Sequence, residues 1–321
     1  MSEKTKSVSA DPVRKINIKA QTIRAILPVL GLVVIFVLFN VLTKGGLIKS
    51  LPLALSKVYV TMIASVGVFF IMTMGGLDFS QGSILGMASI VMCALSKYNI
   101  PLAIVAGILT GALLGAINGY FYVYRKIKSF IVTICTMFLL RGIIKYLTST
   151  SPIAASMDYI NLDSTALKVS VTVIVLIIGF IAFTYTKFGT HLKAIGAGEK
   201  AAMFAGIKTD RMKFWIYVLA GAITGVAAFV STIKNGSVTS SGGNQLETQI
   251  LIALVLGGMP ISGGAKVRFI NVIVGSVLYT ILESGLIMMG LTTQFMQLVE
   301  GIVFLVFVAI FADRQSIQVI K

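Results

Sequence analysis

Apolar residues run through this chain in stretches near the length of a bilayer crossing, separated by short polar or basic segments. A helix needs roughly 20 predominantly apolar residues to span the hydrocarbon core. Ten such segments are read, near 25–43, 52–74, 82–96, 101–124, 129–147, 166–186, 214–233, 249–264, 269–290 and 296–312. The expected fold is therefore an all-α polytopic membrane protein of about ten transmembrane helices. Charged residues make up only 12% of the chain, against about 25% in a soluble domain, which leaves too few to coat a water-facing surface. The third and eighth segments are short, as broken or re-entrant segments buried within protein would be.

The formal net charge of +16 does not point to nucleic acid. Basic residues alternate along the chain with the apolar runs, and no basic stripe carries interleaved base-stacking aromatics. Read by the positive-inside rule, they orient the molecule instead. Segments 1–24, 125–128, 187–213, 265–268 and 313–321 hold 19 of the 27 Lys and Arg residues. Both termini are accordingly expected in the cytoplasm. The domain reading follows: a basic amino-terminal tail over 1–24, a transmembrane domain over 25–312 and a cytoplasmic tail over 313–321. The first 24 residues show no cleavage-site pattern and are read as tail. Cys93 and Cys135, both inside apolar segments, are read as small packing residues.

The stretch "GGLDFSQGS" at 75–83 breaks one of the most apolar regions of the chain. Gly75 and Gly76 permit backbone conformations and close helix approach that other residues resist. Asp78 is placed to cap the next segment, with Ser80 as the alternative cap and Ser83 one turn further on. Two readings stay open here. The stretch is either a cytoplasmic-side turn between two spans or a discontinuous element beside a translocation path. A second glycine-rich break, "GGMPISGG" at 257–264, begins with Gly257 and Gly258.

Ionisable residues inside apolar segments default to functional candidates, and they are normally paired or turned toward a cavity. Arg141, Glu283 and Glu300 are of this kind, with Arg141 read as the partner of Glu300 or Glu283. Glu247, near the outer end of the eighth segment, is read as meeting water or a protein partner. No set of residues suggests a catalytic or metal centre, and the single histidine, His191, is read as a solvated loop residue.

The longest polar connection, 187–213, contains "GEKAAMFAG" at 198–206. Glu199 suits the first turn of a helix. Lys200, Ala201, Ala202 and Met203 favour helix, and Gly206 suits the left-handed residue that ends one. Gly198 and Gly206 bracket the segment. Ala202, Met203 and Phe204 form an expected apolar ridge, either a docking knob for another protein or a surface helix folded back on the membrane.

This segment, with its Gly-Glu-Lys-Ala and Ala-Gly-Ile, resembles the coupling segment of ABC importer permeases of the ribose-type monosaccharide family. Members carry a Gly-Asn-Glu-Ala-Ala-like stretch before Ser-Gly-Ile; Lys200 stands here for the usual first alanine. The 75–83 stretch resembles the family's Gly-Gly-Ile-Asp-Leu-Ser-x-Gly-Ser. "SFIVTICTMFLLRGI" at 129–143, "LETQILIALVLGGMPISGG" at 246–264 and "INVIVGSVLYTILESGLIMMGL" at 270–291 resemble three further family segments in the same order. Glu283 and Ser284 occupy positions where members often carry two asparagines.

The resemblance implies a transport subunit rather than an enzyme. Its implied partners are a second permease chain, an ABC ATPase that binds ATP and Mg, an extracytoplasmic solute-binding protein and the lipid of a bacterial cytoplasmic (inner) membrane. No G-x-x-x-x-G-K-[ST] loop occurs in the chain, so ATP hydrolysis is expected on the partner. Gly75, Gly76, Asp78, Ser80, Ser83, Arg141, Glu247, Gly257, Gly258, Glu283 and Glu300 are the candidates for the path or its gates. Two alternatives stand beside the sugar importer. One is a permease of the same superfamily for a nucleoside, autoinducer or amino acid. The other is an ion-coupled secondary transporter using Asp78, Glu283 or Glu300.

Overall fold

The computed structural model describes residues 13–311. Its helices in chain order are α1 (Val13–Leu42), α2 (Gly46–Lys49), α3 (Leu51–Leu55), α4 (Val58–Thr73), α5 (Gln81–Ser96), α6 (Ile100–Val123) and α7 (Ser129–Leu147). There follow α8 (Met157–Ile160), α9 (Thr165–Tyr185), α10 (Lys187–Ala197), α11 (Glu199–Phe204), α12 (Thr209–Asn235), α13 (Leu246–Leu256), α14 (Ile270–Met288) and α15 (Thr293–Phe311). Two short strands, β1 (Ile153–Ala154) and β2 (Ser237–Val238), pair antiparallel.

Local chemistry sets several starts. The Asn99 side chain accepts from the Leu102 amide at 2.9 Å, with Pro101 in the first turn of α6. Ser164 accepts from Leu167 to begin α9. Thr186 then accepts from Phe188, so α10 starts directly after α9 ends.

Among the described residues, six helices are long and apolar enough to cross a membrane: Leu51–Thr73 (α3 running into α4), α6, α7, α9, α12 and α14. Four shorter apolar helices, Pro28–Leu42, α5, α13 and Thr293–Ala309, coincide with the remaining segments read from the sequence. The Leu51–Thr73 window is 72% buried and that of α12 67%, against 22% for α6, α7 and α9. The first two are therefore the interior of the bundle, and the last three are its rim. Rim residues such as Leu109, Leu113, Phe138 and Ile178 stand exposed, a surface suited to lipid.

The tightest packing joins α6 to α12. Gly107, Gly111, Gly115 and Gly119 recur every four residues along one face of α6. A Cβ on Gly111 would lie 2.2 Å from the Gly221 carbonyl oxygen of α12, and one on Gly221 would lie 2.1 Å from that of Gly111. Backbones this close maximise dispersion contacts, the main attraction between helices that lipid surrounds.

Several boundaries differ from the sequence reading. Residues 257–264, read as the end of a span, are not helical, because Gly257, Gly258, Pro260, Gly263 and Gly264 interrupt the helix. The 187–213 connection is largely helical, holding α10, α11 and the first turn of α12, since Leu192 and Ile195 have core to bury against. Helix α1 already runs from Val13 within the segment read as tail, and residues 1–12 and 313–321 lie outside the described residues. Cys93 is buried as expected, but Cys135 is exposed on α7.

Candidate functional site

Three helices that stop inside the candidate region stop by the same device. Helix α4 ends with Gly75 at φ +83°, its amide on the Met72 carbonyl and the Gly76 amide on that of Ile71. Helix α13 ends with Gly258 at φ +88°, the Gly258 amide on Val255 and the Met259 amide on Leu254. Helix α11 ends with Gly206 at φ +85°, the Gly206 amide on Met203 and the Ile207 amide on Ala202. Each is a Schellman closure, whose left-handed residue is available to glycine without a Cβ penalty.

Between α4 and α5 the polar side chains are buried, although Gly75 is exposed. Asp78 is 1% exposed, and Ser80, Gln81 and Ser83 are fully enclosed. Asp78 Oδ1 accepts from the Ser80 amide at 2.8 Å and the Ser80 hydroxyl at 2.5 Å, while Oδ2 accepts from Gln81 Nε2 at 2.6 Å. Asp78 thus holds the Ser80 amide two residues on, but no side chain caps the first turn of α5, contrary to the expectation for Asp78. Ser80 does not cap: its hydroxyl is committed to Asp78, and Ser83 donates to its carbonyl at 2.7 Å. Burial holds the Asp78 carboxyl above the usual carboxylate range, and the bonds from Ser80 and Gln81 pull against that shift.

The network extends into three more helices. Asn118 of α6 donates to Ser80 Oγ at 2.8 Å and accepts from Thr136 of α7 at 2.7 Å. Thr224 of α12 donates to Gln81 Oε1. Ser129 and Thr133, one turn apart on α7, accept from the amides of Leu77 and Phe79. The polar side chains of the break are therefore met from neighbouring helices, which offsets the cost of irregular backbone inside an apolar bundle. None of Asn118, Ser129, Thr133, Thr136 or Thr224 is among the residues that the sequence reading singles out. The four- and three-residue spacing of the α7 hydroxyls is a signal for Ser129, Thr133 and Thr136, while Asn118 and Thr224 carry no such pattern.

Arg141 pairs with neither Glu283 nor Glu300. Its guanidinium donates to Glu247 Oε1 at 2.7 Å and to the Gly243 carbonyl at 3.4 Å. Glu247 is 7% exposed, so it faces an interior partner rather than water or another protein. Glu300 accepts from the Tyr279 hydroxyl at 3.1 Å. Glu283 is half-buried on α14, within electrostatic reach of Lys57 and Lys234. Glu283 and Glu300 thus lie within electrostatic reach of each other around Tyr279, while Arg141 and Glu247 form a pair of their own.

The two glycine breaks meet. The Gly264 amide donates to the Thr73 carbonyl at 3.1 Å, and a Cβ on Gly263 would lie 2.2 Å from the Met72 carbonyl oxygen. On the same Thr73 carbonyl, a Cβ at Gly196 of α10 would lie 2.0 Å away. The end of α4, the 257–264 break and the helix preceding α11 thus share one backbone junction.

Gly198 is the N-cap of α11. Glu199 pairs with Lys213 of α12, whose side chain is buried and also lies over the Tyr122 ring. Ala202 is buried, so the expected three-residue ridge reduces to Met203, 53% exposed, and Phe204, 85% exposed. Lys200 and Ala201 are exposed. His191 is half-buried beside a groove that includes Lys208, Arg211 and Trp215. Among the described residues, no group of three or more His, Cys, Asp or Glu side chains is placed to hold a metal ion.

Residues 51–308 match the family model described as branched-chain amino acid transport system / permease component. The chain is 31% identical over 301 residues to the ribose import permease protein RbsC of Bacillus subtilis (strain 168), covering 90% of this chain and 92% of that one. It is 27% identical to the protein of the same name from Escherichia coli (strain K12), covering 81% and 85%. It is also 27% identical to the D-allose transport system permease protein AlsC of that strain, covering 79% and 80%. No solved structure matches the chain.

Proposed function

This chain belongs to the family of branched-chain amino acid transport system permease components, and on that premise we propose that it is the membrane-spanning subunit of an ATP-driven monosaccharide importer. It is a multi-pass membrane protein and a transport subunit, not an enzyme. The names of the ribose and allose relatives support a monosaccharide as the solute. In this reading the chain crosses the bacterial cytoplasmic membrane ten times, with both termini inside. Two permease chains enclose the path, an extracytoplasmic binding protein delivers the solute, and a separate ATPase chain binds ATP and Mg.

One observation carries the reading. Helix α11 presents Met203 and Phe204 to the outside while Glu199 and Lys213 anchor it to α12. Just before it, α10 touches the Thr73 carbonyl at the end of α4. A push on Met203 and Phe204 therefore reaches the junction of both breaks through α11, the Gly198 joint, α10 and one backbone contact. Alternating access follows if the ATPase dimer closes against α11 and the broken helices re-pack in response. An ion-coupled transporter has no use for such a surface.

The test is purification of the full chain from its native membrane, wild type against Phe204→Glu. Wild type brings an ATPase chain with it and supports ATP-dependent sugar uptake. The variant keeps its membrane abundance and loses both. Recovery of the wild-type chain alone, moving solute under an ion gradient without ATP, overturns the reading.

A further inference from the structure

Above the Asp78 network, a cavity of ≈ 300 Å³ opens between α5, the last turns of α12 and the segment after it. Its polar lining is Ser89 of α5, Ser231, Thr232 and Asn235 of α12, and Ser237, Thr239 and Ser241 of the following segment. None of its lining residues carries a charge. Small-molecule pockets of about 300–1,000 Å³ are ordinarily lined mostly by apolar side chains with a few polar groups. Here the proportion is reversed, within a chain that is 57% hydrophobic.

The cavity is graded. Asn235, Thr239 and Ser241 stand exposed at its mouth, and Ser89 is 3% exposed at its floor. The Ser89 hydroxyl has no hydrogen-bond partner, although a buried hydroxyl left unmet is costly. Its helical neighbour Ser96 shows the usual solution, donating back to the Cys93 carbonyl at 2.8 Å. At the mouth, Thr239 and Ser241 share a bond of 3.0 Å, and Asn235 donates to Ser231 at 3.3 Å. The wall is held rigid from behind: a Cβ on Gly243 would lie 2.0 Å from the Gly82 carbonyl oxygen, and Arg141 reaches the Gly243 carbonyl.

We infer that this cavity is a docking site in the permease for a neutral cyclic sugar, met by the hydroxyls of Ser231, Ser237, Thr239 and Ser241 and by the Asn235 amide, with the enclosed Ser89 hydroxyl behind them. The inference rests on the importer reading and names where its solute pauses. An uncharged set of hydroxyls and an amide both donates and accepts, which matches a sugar's ring of hydroxyls. It offers nothing to balance the charge of an amino acid or a phosphorylated sugar, either of which would enter such a site unpaired.

The test uses the full complex in native membranes, with Cys135→Ser as background. The probes are D-ribose, D-allose and D-xylose, with ribose 5-phosphate and sorbitol as controls. A small hydrophilic thiosulfonate modifies the Ser231→Cys variant, and the Tyr98→Cys variant reports an exposed position away from the cavity. First, wild type is assayed for ATP-dependent uptake of each neutral sugar. If it imports none, the importer reading has failed, independently of the cavity.

If it imports one, that sugar at saturating concentration is expected to slow modification at position 231 by about threefold or more, because the fraction of sites left open falls as 1 + [L]/Kd, and to leave position 98 unchanged. No slowing, or equal slowing by sorbitol or by a sugar that is not imported, overturns the proposal and leaves a water-filled vestibule. Should the cysteine variant not assemble, Asn235→Ala supplies the second measurement. Uptake of the imported sugar is expected to fall by about threefold, with preference among the three sugars reduced and ATPase co-purification intact. Unchanged preference overturns it.

Discussion

Arg141 and Glu247 meet at 2.7 Å, joining α7 to the first turn of α13 across 106 positions of chain. Their side chains are 17% and 8% exposed, and Glu247 Oε2 has no second partner. Removing one member of a buried pair strands the other and costs about 3–5 kcal/mol, whereas replacing both with apolar groups costs far less. Arg141→Met is therefore expected to lower the melting temperature in detergent more than Arg141→Met with Glu247→Met. A double variant no more stable than Arg141→Met alone contradicts the pairing as the source of the loss.

The Asp78–Gln81 link has a direction, with the amide donating and the carboxylate accepting. Asp78→Asn sets two amide donors against each other and is expected to cost about 1–3 kcal/mol, the penalty of a buried group left unmet. Adding Gln81→Glu reverses the link while keeping acceptors for Ser80 and Thr224. The swapped pair should recover folded yield and uptake relative to Asp78→Asn. Additive losses in the two variants mean that the network does not hold the break.

Glycines on the rim and in the seam should respond oppositely. Gly111→Val places atoms where the Gly221 carbonyl already lies, and folded protein on size-exclusion chromatography is expected to be lost. Gly142 of α7 has nothing within 4 Å of the place a Cβ would take, so Gly142→Ala should change stability by less than about 1 kcal/mol, in the stabilising direction. Similar behaviour of the two variants contradicts the close approach of α6 and α12.

The anchor of α11 is asymmetric. Lys213 is buried and Glu199 is half-exposed. Glu199→Gln leaves an enclosed ammonium with a neutral amide and the Tyr122 ring in place of its counter-charge, so it should destabilise by about 1–3 kcal/mol. Lys213→Met leaves a carboxylate that water can still reach and should cost less. Thermal unfolding of the two purified variants orders them, and the reverse order removes Lys213 from the anchor.

What run length and punctuation encode is readable along the chain. Ten apolar segments, the two glycine breaks, the interruption at Asp78 and the helix between Gly198 and Gly206 all depend on residues near one another in sequence. The partner of Arg141 is not readable, nor is the burial of Ala202. In a water-soluble helix a polar face marks the outside, but here lipid is as apolar as the core, so α4 and α12 carry no stripe that tells the buried side from the exposed one.

Linear order was thus enough to establish a polytopic helical membrane protein, the places where its helices break, and the family to which it belongs. Which polar groups meet was settled by packing. Asn118 and Ser80 are 38 positions apart, Arg141 and Glu247 106, and Thr224 and Gln81 143. Nothing local in the chain brings such groups to hydrogen-bonding distance. In an apolar bundle each of them must find a partner through the fold or stay unmet, as the Ser89 hydroxyl does.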